Sequence, residues 1–108
     1  MKSTDLAKRS PGAEQIREAM PERERAIFDQ RYAQYGDPIE CHRNIGRVWA
    51  ATLSQYFSVR VEDIPPDVVA LMFTQFKAIR AVKGDHQDNY DDMRNYSVIA
   101  EVARKERT

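Results

Sequence analysis

Apolar residues recur at helical spacing over most of the chain. From Ala13 onward Ile16, Ala19 and Met20 share one side, and then Pro21 intervenes. Proline removes a backbone donor inside a helix but suits the first turn of a new one. The pattern therefore predicts a broken or bent helix, Ala13 to Met20 and then Pro21 to Tyr35. The second part offers only Ala26, Ile27, Phe28, Tyr32 and Tyr35 for burial, and Gly36 can take the positive φ of a helix stop. In "DPIECHRNIGRVW" Asp37 reads as N-cap, Pro38 as the first helical residue and Glu40 as the third, the elements of a capping box. Ile45, Val48, Trp49, Thr52, Leu53 and Tyr56 then form one stripe of a helix running to about Phe57.

The connector "SVRVEDIPP" is too short and isolated to build a sheet, and Pro66 is placed to start the next helix. Pro66 to Val82 is the most apolar stretch, with apolar side chains on nearly every side, which predicts the central helix. Gly84 ends it, "DHQD" reads as a turn, and Asp85 or Asp88 is the next expected N-cap. The last helix is expected over about Asn89 to Lys105, with Met93, Tyr96, Ile99, Ala100 and Ala103 as its inner face. Residues 1–12 are polar, end in Pro11-Gly12, and are expected to form a flexible tail; residues 13–108 are expected to form a single helical domain. The predicted fold is all-α, a compact bundle of four to five helices without a sheet.

Bulk composition narrows the function classes. A chain of 108 residues can bury one core without staples. Its 17 basic and 17 acidic side chains cancel, which argues against bulk binding to nucleic acid or a membrane surface. Cys41 is the only cysteine, so no internal disulfide can form, and no apolar run approaches the roughly 18 residues of a spanning helix. The first residues, "MKSTDLAKRSPG", lack the apolar stretch of a signal peptide. The expected location is the cytoplasm, that of the host cell if the chain is phage-encoded.

Polar residues gather in three clusters at helix ends. Glu40, His42, Arg43 and Asn44 open one helix; Lys77, Arg80 and Lys83 close the next at spacings of three; Asp85, His86, Asp88, Asp91, Asp92 and Asn95 open the last. A short turn makes the last two helices antiparallel, so these cations end beside these acids. Cations in a last turn and acids in a first turn complement the helix macrodipole by about 0.3–1 kcal/mol per charge, which needs no function. Five acidic or histidine groups within the eight residues from Asp85 to Asp92 exceed what capping requires, and a bound cation would relieve their repulsion. Carboxylates next to lysine and arginine suit magnesium bridged to a phosphate. The candidate metal set is Glu40, Asp88, Asp91 and Asp92; Arg43, Lys77 and Arg80 are candidate phosphate contacts; His42, His86 and Asn95 are expected to share the polar cleft. For each residue there is a plainer account: Glu40 as capping partner, His42 as a packed histidine, Cys41 as a small hydrophobe, Trp49 as core. One cysteine and two histidines far apart make no zinc pattern, and the four glycines form no phosphate loop.

The segments "YGDPIECHRNIGRVWA", "DVVALMFTQFKAIRA" and "HQDNYDDMRNYSVIAE" together resemble a family of small helical proteins of unknown function encoded in phages and prophages, over about Tyr32 to Glu101. Their order also looks distantly similar to the all-α nucleoside triphosphate pyrophosphohydrolases, which hold magnesium with acidic residues on facing helices. That resemblance implies an E-x-x-E on one helix and an E-x-x-D on a later one. Here the later helix offers Asp88-x-x-Asp91, and the earlier one Glu40 with Arg43 three residues on. The expected function is a nucleotide-binding or magnesium-dependent pyrophosphohydrolase-like protein. The alternative is a non-enzymatic phage anti-defence protein that inhibits by binding a host protein. Tyr32, Tyr35, Tyr56 and Phe57 leave a homodimer open under either reading.

Overall fold

The computed structural model describes residues 9–84 and 86–108, which form five helices and no strand. They are α1 (Pro11–Ala19), α2 (Glu22–Tyr35), α3 (Pro38–Phe57), α4 (Pro66–Lys83) and α5 (Gln87–Arg107). The all-α bundle expected from periodicity is what forms. No helix among the described residues is long and apolar enough to cross a membrane.

Helix α1 begins earlier than its apolar pattern does. The Ser10 hydroxyl accepts the Ala13 N–H at 3.1 Å, and Gly12 and Ala13 are buried. Arg9 pairs with Glu14 at 2.8 Å and Asp29 at 3.3 Å. Residues 9–12, assigned from polarity to a flexible tail, are thus tied into the bundle by a cap and two ion pairs; residues 1–8 lie outside the described residues. Arg17 donates two hydrogen bonds to Asp29, at 2.7 and 3.0 Å, which fix α1 against α2 across the Pro21 break. Gly36 takes φ 85° as expected, and Asp37 caps α3 by accepting the Ile39 N–H at 2.8 Å. The Ser10 hydroxyl also donates to Asp37, joining two caps. Glu40 does not complete a capping box; it pairs with Arg43 on the helix surface.

Ser58 closes α3 in the left-handed region, and the connector then runs back along that helix. Ser54 Oγ accepts the Val61 N–H at 2.8 Å, and the Ile64 N–H reaches the Gly46 carbonyl at 3.4 Å. Gly46 is buried there because a Cβ would stand 1.9 Å from the Ile64 carbonyl oxygen. This contact launches α4 across α3 and back along α5.

Helices α4 and α5 pair antiparallel. Asp67 receives two hydrogen bonds from Arg107, at 2.8 and 3.1 Å; Phe73 stacks on Tyr96 with centroids 5.1 Å apart; Lys77 meets Asp92 at 3.0 Å. The core sits at one end of this pair: Ala13, Ile16 and Met20 of α1, Phe28 of α2, Ile39 of α3 and Ala70 of α4 close on Ile99, Ala100, Val102 and Ala103 of α5. The helix expected to be central is therefore only half covered. Val69 and Ala70 are fully buried, whereas Leu71, Phe76, Ile79 and Val82 are exposed. Helix α5 takes the central role instead, because α1, α3 and α4 all pack on it. The last helix also starts differently: His86 is its N-cap residue, without a side-chain cap bond, so Asp88 is not a cap, and Asp85 lies outside the described residues.

Two substitutions test this frame. Gly46→Ala drives a methyl group into a backbone carbonyl and should cost about 1–3 kcal/mol. Gly12→Ala should cost less, since its nearest obstacle is the flexible end of Glu106; urea unfolding of both compares them. Arg107→Ala leaves the buried Asp67 carboxylate unpaired, which should cost about 1–3 kcal/mol at neutral pH. The Arg107 bonds hold Asp67 below its ordinary 3.8, so this contribution is complete above that value and fades as pH falls through the lower, folded value. Melting curves at pH 7 and pH 3 should show the variant and the native chain converging at the acidic end.

Candidate functional site

The cations that close α4 and the acids that open α5 do meet. Spacings of three place Lys77, Arg80 and Lys83 on one side of α4, and Gly84 stops the helix, its N–H bonded to the Arg80 carbonyl at 3.2 Å. The short turn brings α5 straight back. Between them lies an open groove of about 510 Å³, lined by Lys77, Arg80, Lys83, Gly84, His86, Asp88, Asn89 and Asp92. Lys77 and Asp92 form its floor as a half-buried ion pair, with side chains 17% and 32% exposed. The Arg80 guanidinium lies over the Phe76 ring at 4.8 Å, which holds its otherwise mobile stem. The groove therefore carries three cations from a helix C-terminus, an exposed imidazole and two carboxylates one turn apart.

The other predicted residues are elsewhere. Asp91 turns toward α2: Gln87 donates to it at 3.2 Å, Arg94 pairs with it, and Arg23 stands 3.6 Å away. Hydrogen bonding from Gln87, then from Arg94, holds its carboxyl below the ordinary range. Asn95 donates to Glu24 at 2.7 Å, and the other Glu24 oxygen faces Arg23 at 3.5 Å and Arg94 at 3.9 Å without a hydrogen bond. Asp91 and Asn95 thus tie α5 to α2. The reason is angular: Asp91 lies about 100° around the helix from Asp92, so the two address different neighbours.

Glu40, Arg43 and His42 also stay out of the groove. Gly12 packs against both Ile39 and the Glu106 side chain, so α3 starts beside the C-terminal half of α5, whereas the groove lies at the N-terminal end of that helix. Glu40 and Arg43 neutralise each other at the surface. His42 is 7% exposed and sits in an aromatic cluster, edge-on to Phe73 at 5.6 Å and to Tyr96 at 5.8 Å. Its Nδ1 bonds the Pro38 carbonyl at 2.7 Å, which makes Nδ1 the protonated nitrogen; Nε2 is buried and unpartnered. Burial pushes the imidazole below its ordinary 6.5, against a smaller upward pull from the Pro38 bond, so it is neutral at pH 7. Trp49 joins the cluster through Phe73 at 5.5 Å. The Cys41 thiol donates to the Tyr35 carbonyl at 3.2 Å and is pushed up by burial and the nearby acids, the reverse of an activated nucleophile.

One cleft uniting all three polar clusters is therefore not what forms. Among the described residues, no three His, Cys, Asp or Glu side chains converge closely enough to hold a metal ion. The set Glu40, Asp88, Asp91 and Asp92 is divided among three surroundings, and only Asp88 and Asp92 share the groove. Sequence reasoning also passed over Gly46, the Asp67–Arg107 pair and the Glu24 network. A glycine inside a helical pattern was a usable signal for the first. The other two join residues 40 and 71 positions apart, for which the sequence holds no local sign.

The family described as a domain of unknown function, DUF6378, matches residues 18–104. This chain belongs to that family. The DUF6378 span contains α2 to α4, the aromatic cluster and the whole groove, and stops three residues short of Arg107. No curated protein and no solved structure matches the chain.

The buried histidine gives a pH signature. Because its folded pKa is depressed, the unfolded chain takes up the proton first. Stability is complete above about 6.5 and declines as pH falls below it, until the folded ring itself protonates. Chemical unfolding between pH 7.5 and 5.5 should show this decline, and His42→Phe, which keeps an aromatic ring in place, should flatten it. An identical slope in the variant would assign the effect to other groups.

Proposed function

We propose that this DUF6378 protein binds a phosphate-bearing small molecule, a nucleotide in the first instance, at the turn between α4 and α5. The observation that carries the reading is the concentration of Lys77, Arg80, Lys83 and His86 on one groove with Asp88 and Asp92. Arg80 offers a planar donor fork to phosphate oxygens, and Lys77 and Lys83 offer point charges. The residues do not make a protein-only magnesium site. They fit an ion that arrives with the ligand, since magnesium is commonly held by one or two carboxylates plus phosphates. Such an ion would neutralise phosphate charge and polarise the phosphorus. Within the chain, Asp88 and Asp92 would hold the ion, Arg80 would orient the phosphates, and Lys77 would stay on the groove floor. Binding comes first in this reading; pyrophosphohydrolase-like turnover is the stronger form of it.

A second reading, a non-enzymatic phage-type inhibitor that docks on a host protein, draws on Tyr56, Phe57 and Val59. These three exposed side chains project at the far end of α3. Loss of a co-purifying host protein in Tyr56→Ser/Phe57→Ser, with nucleotide response intact, would select it.

The primary test is calorimetry with each nucleoside triphosphate, with and without magnesium, followed in parallel for pyrophosphate release. Binding should weaken about tenfold to a hundredfold in Arg80→Ala. It should lose its magnesium dependence in Asp88→Asn. No heat and no thermal shift at millimolar ligand across the panel would remove the nucleotide reading.

A further inference from the structure

Helix α4 presents an apolar face that the described residues leave open. Leu71, Met72, Gln75, Phe76, Ile79 and Val82 fall within an arc of about 140° of that helix, and all six are exposed. Ile79 is 71% exposed and Val82 81%. The arc contains no charge until Arg80 and Lys83 at its C-terminal edge. This is the composition of a helix buried on both sides, of which the chain itself covers one.

We infer that a second copy of this chain covers the other side, with the two α4 helices packed antiparallel about a two-fold axis near Gln75 and Phe76. Three observations support this occupant over an unrelated partner. The five apolar side chains expose on the order of 500 Å². A stable interface needs roughly 800 Å² per partner, and Gln75, Ala78 and the stem of Lys83 add to that area. The formal net charge is zero, so two copies do not repel each other as wholes. An axis between Gln75 and Phe76 also sets Ile79 of each copy against Met72 of the other, so exposed apolar side chains meet their like. A two-fold interface is self-complementary, so one exposed face satisfies both copies at once. The arrangement puts Arg80 at the boundary between seam and groove, so each groove would lie beside the interface without depending on it.

Sedimentation equilibrium or light scattering of the full chain without nucleotide tests the inference. The expected mass is twice the 12.5 kDa of one chain at about 50–100 µM. Ile79→Glu places two like charges in the seam and should raise the dissociation constant about a hundredfold or more. Its helical circular dichroism should stay unchanged, since the site is open in the monomer. Val48→Glu, at an exposed apolar position on α3, should leave the dimer intact. Gln75→Cys in a Cys41→Ser background should form a disulfide-linked dimer on mild oxidation. A monomeric mass throughout this range, or a dimer indifferent to Ile79→Glu with no Gln75→Cys cross-link, would overturn the inference. The nucleotide titration is separate: a dimer that binds no nucleotide leaves this inference standing, and a monomer that binds nucleotide ends it.

Discussion

The antiparallel contact of α4 on α5 is what the remaining structure leans on. It is clamped near one end by the paired hydrogen bonds from Arg107 to the buried Asp67, and toward the other by Lys77 on Asp92. Between the clamps Phe73 stacks on Tyr96, and His42 and Trp49 of α3 complete the cluster. Because the register is held from both directions, sliding one helix by a turn would break an ion pair and expose a carboxylate that is 3% exposed as packed. The core, the groove and the uncovered face of α4 all follow from that register.

The same contact separates structural from available polar groups. At the C-terminal end of α5 Arg107 is spent on holding α4 through Asp67. Around its middle, Asp91, Arg94 and Asn95 are engaged with Arg23 and Glu24 of α2. At the turn Arg80, Lys83 and Asp88 make no ion pair with another described residue, and that is where the groove opens. Charge density alone would have ranked Asp91 with Asp88. Its hydrogen bonds rank it with the scaffold.

His42 illustrates how a residue that reads as chemistry can be packing. Its ring fills a space between Phe73 and Tyr96 that a phenyl group would also fill, and one nitrogen bonds within its own helix to Pro38. The residual polarity, an unpartnered Nε2, makes the cluster sensitive to acid and gives it no evident reactant. The interior of this protein thus carries a pH-dependent element while the candidate chemistry stays at an exposed helix turn.

Local information was enough for the helices themselves. Prolines at helix starts, Asp37 as a cap, Gly36 and Gly84 as stops, and apolar spacing define five segments within a few residues, since each depends on neighbours no more than four positions away. The meeting of Lys77, Arg80 and Lys83 with Asp88 and Asp92 was legible for the same reason: a short turn leaves two helices little choice but to fold back. What periodicity could not decide was how much company each helix would have. An all-round apolar sequence marks α4 as central, yet burial depends on which other helices arrive; α1 and the start of α3 gather on the C-terminal half of α5, and α2 reaches its N-terminal half through Asp91 and Asn95. Likewise the separation of Glu40 and Arg43 from the groove follows from the direction in which α3 crosses, set by the close approach of Ile64 to Gly46. The hydrogen bonds within helices and their caps are written in nearby residues; the placement of whole faces is settled only when distant segments compete for the same surface.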